Sequence, residues 1–187
     1  MFSIYDDCLP ECLVDEIENT LLDKHFTWHL GRNITDSSVV YEDNRRFGFG
    51  SNFFRDSNPY NLTCNFHVVK PIPFIFSAVK ILPTDFRIKL ARAFLQTPSP
   101  GLINNDPHVD GHYPHTVLLY YVNDTDGDTV FFDPEDKTKI IERVTPKRGR
   151  VLLFDGSMYH ASCPPSSGFR AVVNFNIVSP EYFEVPT

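Results

Sequence analysis

The chain has 187 residues, a formal net charge of −7 and a sequence pI near 5.4. Proteins that bind nucleic-acid backbones usually carry an excess of Lys and Arg, so this acidic balance argues against nucleic acid as the partner. The apolar content of 42%, with 17 Phe and 8 Tyr, predicts a folded protein, and the 15 prolines disfavour long helices and favour β structure.

The length suits a single domain over residues 1–187, with a helix-and-strand preface over about 1–86 and a β core over about 87–178. The four cysteines include no C-x-x-C pair. No signal segment opens the chain, and no apolar run is long enough to cross a bilayer. We therefore expect free thiols, a cytoplasmic location and no membrane partner.

The N-terminal residues predict an extended segment followed by a helix. Pro10 suits the first turn of that helix, which we expect to continue to about Lys24. Its apolar positions recur every three or four residues and would pack on a sheet; they are Leu13, Val14, Ile17, Leu21 and Leu22. Its acidic positions are expected to face water; they are Asp15, Glu16 and Glu18.

The next part of the chain is irregular. For the Gly- and Phe-rich segment Arg45–Phe54 we favour a structural edge strand, with a mobile substrate lid as the alternative. Residues Asn61–Pro73 are predicted to form a loop, and Phe74–Leu82 a second short helix.

From Arg87 onwards the pattern is one of strands. Alternation along Arg87–Thr97 places Arg92, Phe94 and Gln96 on one face. Short strands separated by polar turns then follow, which predicts a sandwich or a closed double-sheet roll. These strands are expected at His108–Asp110, Thr116–Val122, Thr129–Phe132, Thr138–Val144, Arg150–Phe154, His160–Ala161 and Arg170–Val178.

One His-x-Asp pair stands out among these strands. Residues i and i+2 of a strand point to the same face, so His108 and Asp110 would look into one cavity. Taken alone, the pair is a weak signal, and an exposed polar turn is the favoured interpretation of it. His112 and His115 are nearby alternatives as ligands, but Gly111 and Pro114 favour a loop around them.

The C-terminal part supplies the rest of a metal site. His160 follows a buried apolar strand, and with His108 and Asp110 it completes the donor set of a facial triad for non-haem Fe(II). Arg170 opens another apolar strand, where a buried guanidinium needs an anionic partner. It suits the far carboxylate of a diacid cosubstrate. These four residues in this order favour a functional interpretation.

The segments HVDG, LLYYVN, DGDTVFF, GRVLLF, MYHA and GFRAVVNFNI, in this order, resemble the prolyl 4-hydroxylase-like branch of the 2-oxoglutarate/Fe(II) oxygenases. The resemblance covers about Arg92–Val178, and short forms of this kind are familiar among bacterial and phage proteins. It implies a mainly β (α+β) double-stranded β-helix, or jelly roll, with supporting N-terminal helices. The implied cofactors are Fe(II), 2-oxoglutarate and O2, with ascorbate as a candidate reductant. For a phage-encoded member the location would be the host cytoplasm.

The resemblance also assigns roles to individual residues. It implies that iron is held by His108, Asp110 and His160. Arg170 would bind the distal carboxylate of 2-oxoglutarate, and the Tyr121 hydroxyl would support that carboxylate. Asn174, on the same face of its strand as Arg170, is expected to line the same pocket.

Two positions depart from the family pattern. Asn176 stands where animal and plant prolyl hydroxylases usually carry Trp and where nucleic-acid demethylases typically place a second Arg. The family's Gly-Gly-Glu-Thr turn corresponds here to Asp126–Thr129. Both departures leave the iron site intact but weaken the case for a prolyl substrate, and Asn176 also argues against a nucleic-acid demethylase. The resemblance implies hydroxylation of an unactivated C–H in a peptide, a protein or an amino-acid-like molecule, on proline or a related residue. The alternatives are a cupin-like metal- or sugar-binding module and an oxygenase acting on a small molecule or a nucleic-acid base.

Overall fold

A computed structural model describes residues 2–33, 46–55 and 65–179 of the chain. The ten strands of this part are β1 Phe2–Tyr5, β2 His29–Gly31, β3 Gly48–Arg55, β4 Arg87–Gln96, β5 Thr116–Tyr121, β6 Thr129–Phe132, β7 Ile140–Val144, β8 Val151–Asp155, β9 His160–Ser162 and β10 Arg170–Val178. Its helices are α1 Glu11–Leu21, α2 Phe66–Val69 and α3 Pro71–Ala78.

The strands form two antiparallel sheets. The major sheet has seven strands in the order β1-β8-β5-β10-β4-β3-β2, and the minor sheet has three in the order β7-β6-β9. Neighbouring strands in the major sheet are far apart in sequence, as in a jelly roll. The mainly β fold with a double-stranded β-helix core is thus confirmed.

Strict alternation along the central strands divides the core into two layers. Leu119 and Tyr121 of β5 face the minor sheet, where they join a cluster with Phe131 of β6. Leu118 and Tyr120 point to the opposite face of the sheet, where they belong to the hydrophobic cluster that packs against the helices. Because β10 lies beside β5 and alternates in the same way, its even-numbered residues face the space between the two sheets.

The helices cover the outer face of the major sheet. Helix α1 begins one residue later than predicted, with Pro10 preceding it, and it buries Val14, Ile17 and Leu21. Strand β1 pairs with β8 and adds an edge to the sheet, where only an extended segment was expected. Of the helices in the described residues, none is long and apolar enough to cross a membrane.

Two predictions for the preface need correction. Residues Phe66–Val69 form α2 and not a loop, because Val68 and Val69 bury their side chains in the core. The second helix spans Pro71–Ala78, earlier than predicted, since Pro71 is tolerated at a first helical position, where no backbone N–H is required.

The segment considered as edge strand or lid is a strand from Gly48 onwards, preceded by Arg46 in a turn and by Phe47. Gly48–Arg55 forms β3, which pairs with β4 on one side and with β2 on the other, so β2 and not β3 is the edge. Phe53 is fully buried, which fixes β3 in the sheet. Arg45, at the start of the predicted segment, lies outside the described residues.

Candidate active site

The three predicted metal ligands lie together. One ligand atom from each of His108, Asp110 and His160 is within 4.8 Å of the other two. Nε2 of His108 is 3.9 Å from Oδ1 of Asp110, and the centroids of the two imidazole rings are 4.6 Å apart. Two imidazoles and one carboxylate match the donor set of facial-triad iron sites, so these residues fit a divalent iron.

The backbone joins the two histidines directly. Each donates its N–H to the carbonyl oxygen of the other, and both distances are 3.0 Å. The predicted strand over His108–Asp110 is wrong, because the structure has only this isolated bridge to β9. Pro107, which lacks the N–H that a longer ladder would need, and Gly111 flank the bridge. Both His108 and Asp110 nevertheless line one cavity.

Each histidine is oriented by a backbone carbonyl. Nδ1 of His108 is 3.1 Å from the carbonyl oxygen of Asp106, and Nδ1 of His160 is 3.0 Å from that of Met158. A carbonyl can only accept a hydrogen bond, so each Nδ1 is the donor, and in the neutral imidazole Nε2 then keeps a free lone pair. Hydrogen bonding of the second ring nitrogen is the usual way to orient a ligating histidine.

Burial keeps His160 neutral. Desolvation, reinforced by the neighbouring His108, lowers the pKa of His160 from 6.5 to about 4. A metal competes with protons for an imidazole, so a low pKa leaves His160 ready to bind a metal at neutral pH.

Asp110 is held by two donors. Its side chain is 1% exposed, and Oδ1 accepts from Nη2 of Arg92 at 2.9 Å. Oδ2 accepts from Nδ2 of Asn174 at 2.7 Å. Burial alone would raise the pKa of Asp110, but the Arg92 guanidinium and the Asn174 hydrogen bond hold that pKa below its usual value. The carboxylate is therefore ionised and fixed in orientation.

Arg170 is the second charged feature of the cavity. It is 3% exposed, its Nε donates to the carbonyl oxygen of Gly127 at 2.7 Å, and its Nη2 donates to Oγ1 of Thr129 at 2.8 Å. Within the described part of the chain, no carboxylate forms an ion pair with this guanidinium. Burial lowers the pKa of Arg170, yet an arginine remains protonated in proteins. The cavity thus contains a buried cation whose acceptors are neutral.

Thr129 links Arg170 to Tyr121. Its Oγ1 accepts from Nη2 of Arg170 and from the Tyr121 hydroxyl, each at 2.8 Å. With both lone pairs engaged, the hydroxyl hydrogen of Thr129 is left to donate, and Thr129 lines the cavity. Tyr121 is fully buried, so its hydroxyl acts on the cavity through Thr129.

The rest of the cavity comes from the major sheet and from β9. The alternation predicted for β4 is confirmed, since Arg92, Phe94 and Gln96 all line the cavity. Asn174 of β10 lines it as well, and apolar walls are supplied by Val117, Leu119, Phe154, Ala161 and Val172. Sequence reasoning did not name Arg92 or Thr129 as site residues. Two features of the sequence could have indicated them. Arg92 shares a face of β4 with Phe94 and Gln96, and Thr129 ends the turn that corresponds to the family's Gly-Gly-Glu-Thr.

The alternative histidines are outside the ligand group. His112 is exposed and His115 is buried, and both lie in the loop that precedes β5. Nδ1 of His115 is 2.7 Å from the carbonyl oxygen of Tyr113. Asn176 is fully buried, and its Nδ2 donates to the Tyr113 hydroxyl at 3.2 Å.

No protein-family profile and no curated protein matches the sequence. Among solved structures, the chain is similar to the viral collagen prolyl hydroxylase of Paramecium bursaria Chlorella virus-1 in complex with 2-oxoglutarate. The TM-score is 0.59 at 15% identity, over 95% of this chain and 96% of that chain.

Two further solved structures share the fold. A member of the 2OG-Fe(II) oxygenase family from Burkholderia pseudomallei gives a TM-score of 0.68 at 8% identity, over 94% of this chain and 84% of that chain. HygX of Streptomyces hygroscopicus, with nickel, 2-oxoglutarate and hygromycin B bound, gives a TM-score of 0.63 at 11% identity, over 99% of this chain and 85% of that chain. The chain therefore has the double-stranded β-helix fold of the 2-oxoglutarate/Fe(II) oxygenases.

Proposed function

We propose that this protein is an Fe(II)- and 2-oxoglutarate-dependent dioxygenase that hydroxylates an unactivated C–H bond. The observation that carries the proposal is Arg170, a buried cation with only neutral acceptors, in the same cavity as a His-Asp-His ligand group. A buried charge is costly unless it is paired, so the cavity is built for an anionic ligand beside a metal. 2-Oxoglutarate combines a metal-chelating end with a distant carboxylate.

In this proposal the metal is held by Nε2 of His108, Nε2 of His160 and the carboxylate of Asp110. Iron bound with 2-oxoglutarate and O2 supplies the oxidising power for hydroxylation. The two backbone carbonyls that accept from the Nδ1 atoms keep the imidazoles in the ligating tautomer. Asn174 orients the Asp110 carboxylate by donating from Nδ2 to its Oδ2 atom.

The distal carboxylate of 2-oxoglutarate would bind between Arg170 and Thr129. Arg170 offers a charge-assisted contact, and Thr129 offers its remaining hydroxyl hydrogen. The apolar walls of the cavity, among them Leu119, Phe154 and Val172, exclude water from this region. Low polarity strengthens the contact between the guanidinium and the carboxylate.

For the substrate we propose a prolyl residue in a peptide or protein, or a related amino acid. The sequence resemblance and the fold shared with a viral collagen prolyl hydroxylase support this class. The proposal includes a reducing, cytoplasmic setting, which suits the free thiols of Cys8, Cys12 and Cys163, and ascorbate as the reductant that restores Fe(II).

A cupin-like binding module without redox turnover is the competing interpretation. Such a module needs the metal ligands but has no need of a buried guanidinium with only neutral acceptors. Arg170 therefore favours the oxygenase.

The direct test is oxygen-dependent turnover of 2-oxoglutarate. The purified protein with Fe(II), 2-oxoglutarate, ascorbate and O2 is expected to release succinate and CO2 slowly even without the substrate that is hydroxylated. The His160→Ala variant should release neither above background. A wild-type protein that binds both iron and 2-oxoglutarate but forms no succinate with any prolyl peptide or amino acid tried would contradict the proposal.

A further inference from the structure

A second depression adjoins the cavity and shares Arg92 and Phe94 with it. It lies on β2, β3 and β4, and its lining residues include His29, Asn52 and Arg55. No Asp or Glu lines it in the part of the chain that the structure describes. In a protein with a net charge of −7, a depression with two arginines and no carboxylate is a selective surface for anions.

Arg92 stands where the two spaces meet. It lies opposite Asn174 of β10 on one side and opposite Asn52 of β3 on the other. Nη2 donates to Asp110, and the guanidinium lies 4.6 Å from the centroid of the Phe94 ring. The buried Nε finds no hydrogen-bond acceptor among the residues that the structure describes. Arg92 therefore has donor capacity to spare on a side chain that is only 22% exposed.

The formal charges around the cavity also favour an additional anion beside Arg92. This step rests on the proposed function, because it counts the metal and 2-oxoglutarate as bound. A divalent metal, the Asp110 carboxylate, the dianion of 2-oxoglutarate and the Arg170 guanidinium together sum to zero. The positive charge of Arg92 is then left over, because among the described residues the only acid lining the cavity is Asp110, which the proposed metal would engage. An uncompensated charge in a confined site is costly, and a bound anion removes that cost.

We propose that the substrate carries a carboxylate close to the carbon that is oxidised, and that Arg92 binds this carboxylate. Arg55 guides the carboxylate along the second depression. Two sources share this chemistry: the α-carboxylate of a free amino acid such as proline, and an acidic side chain next to the target residue of a peptide. Arg92 is in this account a specificity residue, distinct from Arg170, which serves the cosubstrate.

The test measures binding in the Ni(II)-loaded protein with saturating 2-oxoglutarate, by titration calorimetry without oxygen chemistry. One probe pair is L-proline and L-prolinamide. The other is an acetylated, amidated peptide with glutamate after the proline, and its glutamine counterpart. In at least one pair the carboxylate-bearing member should bind roughly 10-fold or more tightly than the partner that lacks this carboxylate. The pair that shows this preference identifies the source of the carboxylate.

Variants then assign the preference to Arg92. Arg92→Met should abolish it, and Arg92→Lys, which keeps the positive charge beside Asp110, should restore part of it. Because Arg92 also holds Asp110, the readout is the ratio of the two affinities of a probe pair within each variant, at saturating 2-oxoglutarate. Arg55→Met, a change at an exposed position that the fold tolerates, should reduce the preference by roughly 3-fold. Arg87→Met removes a positive charge from an exposed position on β4, the strand of Arg92. It should change neither the binding of 2-oxoglutarate nor the preference for the carboxylate.

The proposal is overturned if neither pair shows a preference for the carboxylate, or if a preference survives both Arg92→Met and Arg55→Met. It is also overturned if Arg92→Met weakens 2-oxoglutarate and leaves the probes unaffected, since Arg92 would then be a cosubstrate ligand. Failure of the proposed function itself has a different signature, namely a wild-type protein that binds Ni(II) but no 2-oxoglutarate.

Discussion

Two arginines of this protein have opposite surroundings. Arg148, in the turn before β8, donates to Glu18, Asp15 and Glu11 of helix α1, at distances of 2.5, 2.5 and 2.7 Å. Arg170, at the start of β10, is buried and donates only to a backbone carbonyl and a threonine hydroxyl.

The contrast separates structure from function. The carboxylates around Arg148 compensate its charge within the folded chain. These ion pairs connect α1 to the turn before β8. Arg170 forms no ion pair with a carboxylate of the described residues, and it lies at the wall of a cavity with three side chains that could hold a metal. A guanidinium in that state is explained by a ligand, whereas Arg148 needs none. Changes at the two positions should therefore affect different measurements.

The largest effect on ligand binding is expected from Arg170→Met. Loss of the guanidinium removes a charge-assisted contact from a confined site, so the dissociation constant for 2-oxoglutarate should rise by roughly 100-fold. Calorimetric titration of the Ni(II)-loaded variant measures the change. Nickel affinity should stay within about 3-fold of wild type, because Arg170 touches none of the proposed ligands. An unchanged 2-oxoglutarate affinity would remove Arg170 from the site.

A pH titration of the metal-free protein is expected to report on His160. Its pKa is lowered from 6.5 to about 4 in the fold, so the folded state favours the neutral imidazole. That contribution is fully present above pH 6.5 and is lost as the pH falls towards 4, by roughly 3 kcal/mol in the free energy of unfolding. Urea unfolding at a series of pH values measures it.

The matched control for this titration is His160→Gln, which removes the titrating group and keeps a polar side chain. Between pH 6.5 and about 4 its stability should fall less than that of wild type. Parallel curves for the two proteins over this range would show that His160 does not titrate between them.

Thr129 should give an intermediate effect. Thr129→Val keeps the shape of the side chain but removes the hydroxyl that joins Arg170, Tyr121 and the proposed carboxylate site. The affinity for 2-oxoglutarate should fall by about 10-fold, the worth of one hydrogen bond to a charged group. Thr129→Ser keeps the hydroxyl and should retain most of the affinity. Equal losses in both variants would point to packing and not to the hydrogen bond.

The smallest effect is expected from Arg148→Met. Surface ion pairs contribute little, so the free energy of unfolding should fall by about 1 kcal/mol, and less in high salt. Thermal unfolding at two salt concentrations measures this change. The affinity for 2-oxoglutarate should be the same as in wild type, which is the counterpart of the Arg170 experiment. A marked loss of that affinity would mean that the two regions are coupled.

The same comparison explains how far the sequence could lead. His108, Asp110, His160 and Arg170 could be picked out because each stands beside a recognisable apolar strand or turn. Alternation, a local property, also placed Arg92 on the correct face of β4.

Features that depend on contacts between segments distant in sequence could not be predicted from local sequence patterns. Asp15 and Glu18 were expected to face water, and their side chains are 56% and 31% exposed. Their pairing with Arg148, which is distant in sequence, could not be foreseen. The pairing of Arg92 with Asp110 and the double bridge between His108 and His160 likewise depend on the packing of separate segments. Helix α2 was missed because the burial of Val68 and Val69 outweighs a weak local signal.

The most direct test of the central claim is an anaerobic titration of Fe(II) and 2-oxoglutarate, followed by visible absorption. A chelate of 2-oxoglutarate on protein-bound Fe(II) gives a weak charge-transfer band. We expect this band in the wild-type protein, its loss in His160→Ala, and a roughly 100-fold higher 2-oxoglutarate requirement in Arg170→Met. Iron that binds to the wild-type protein without any band on addition of 2-oxoglutarate would contradict the account.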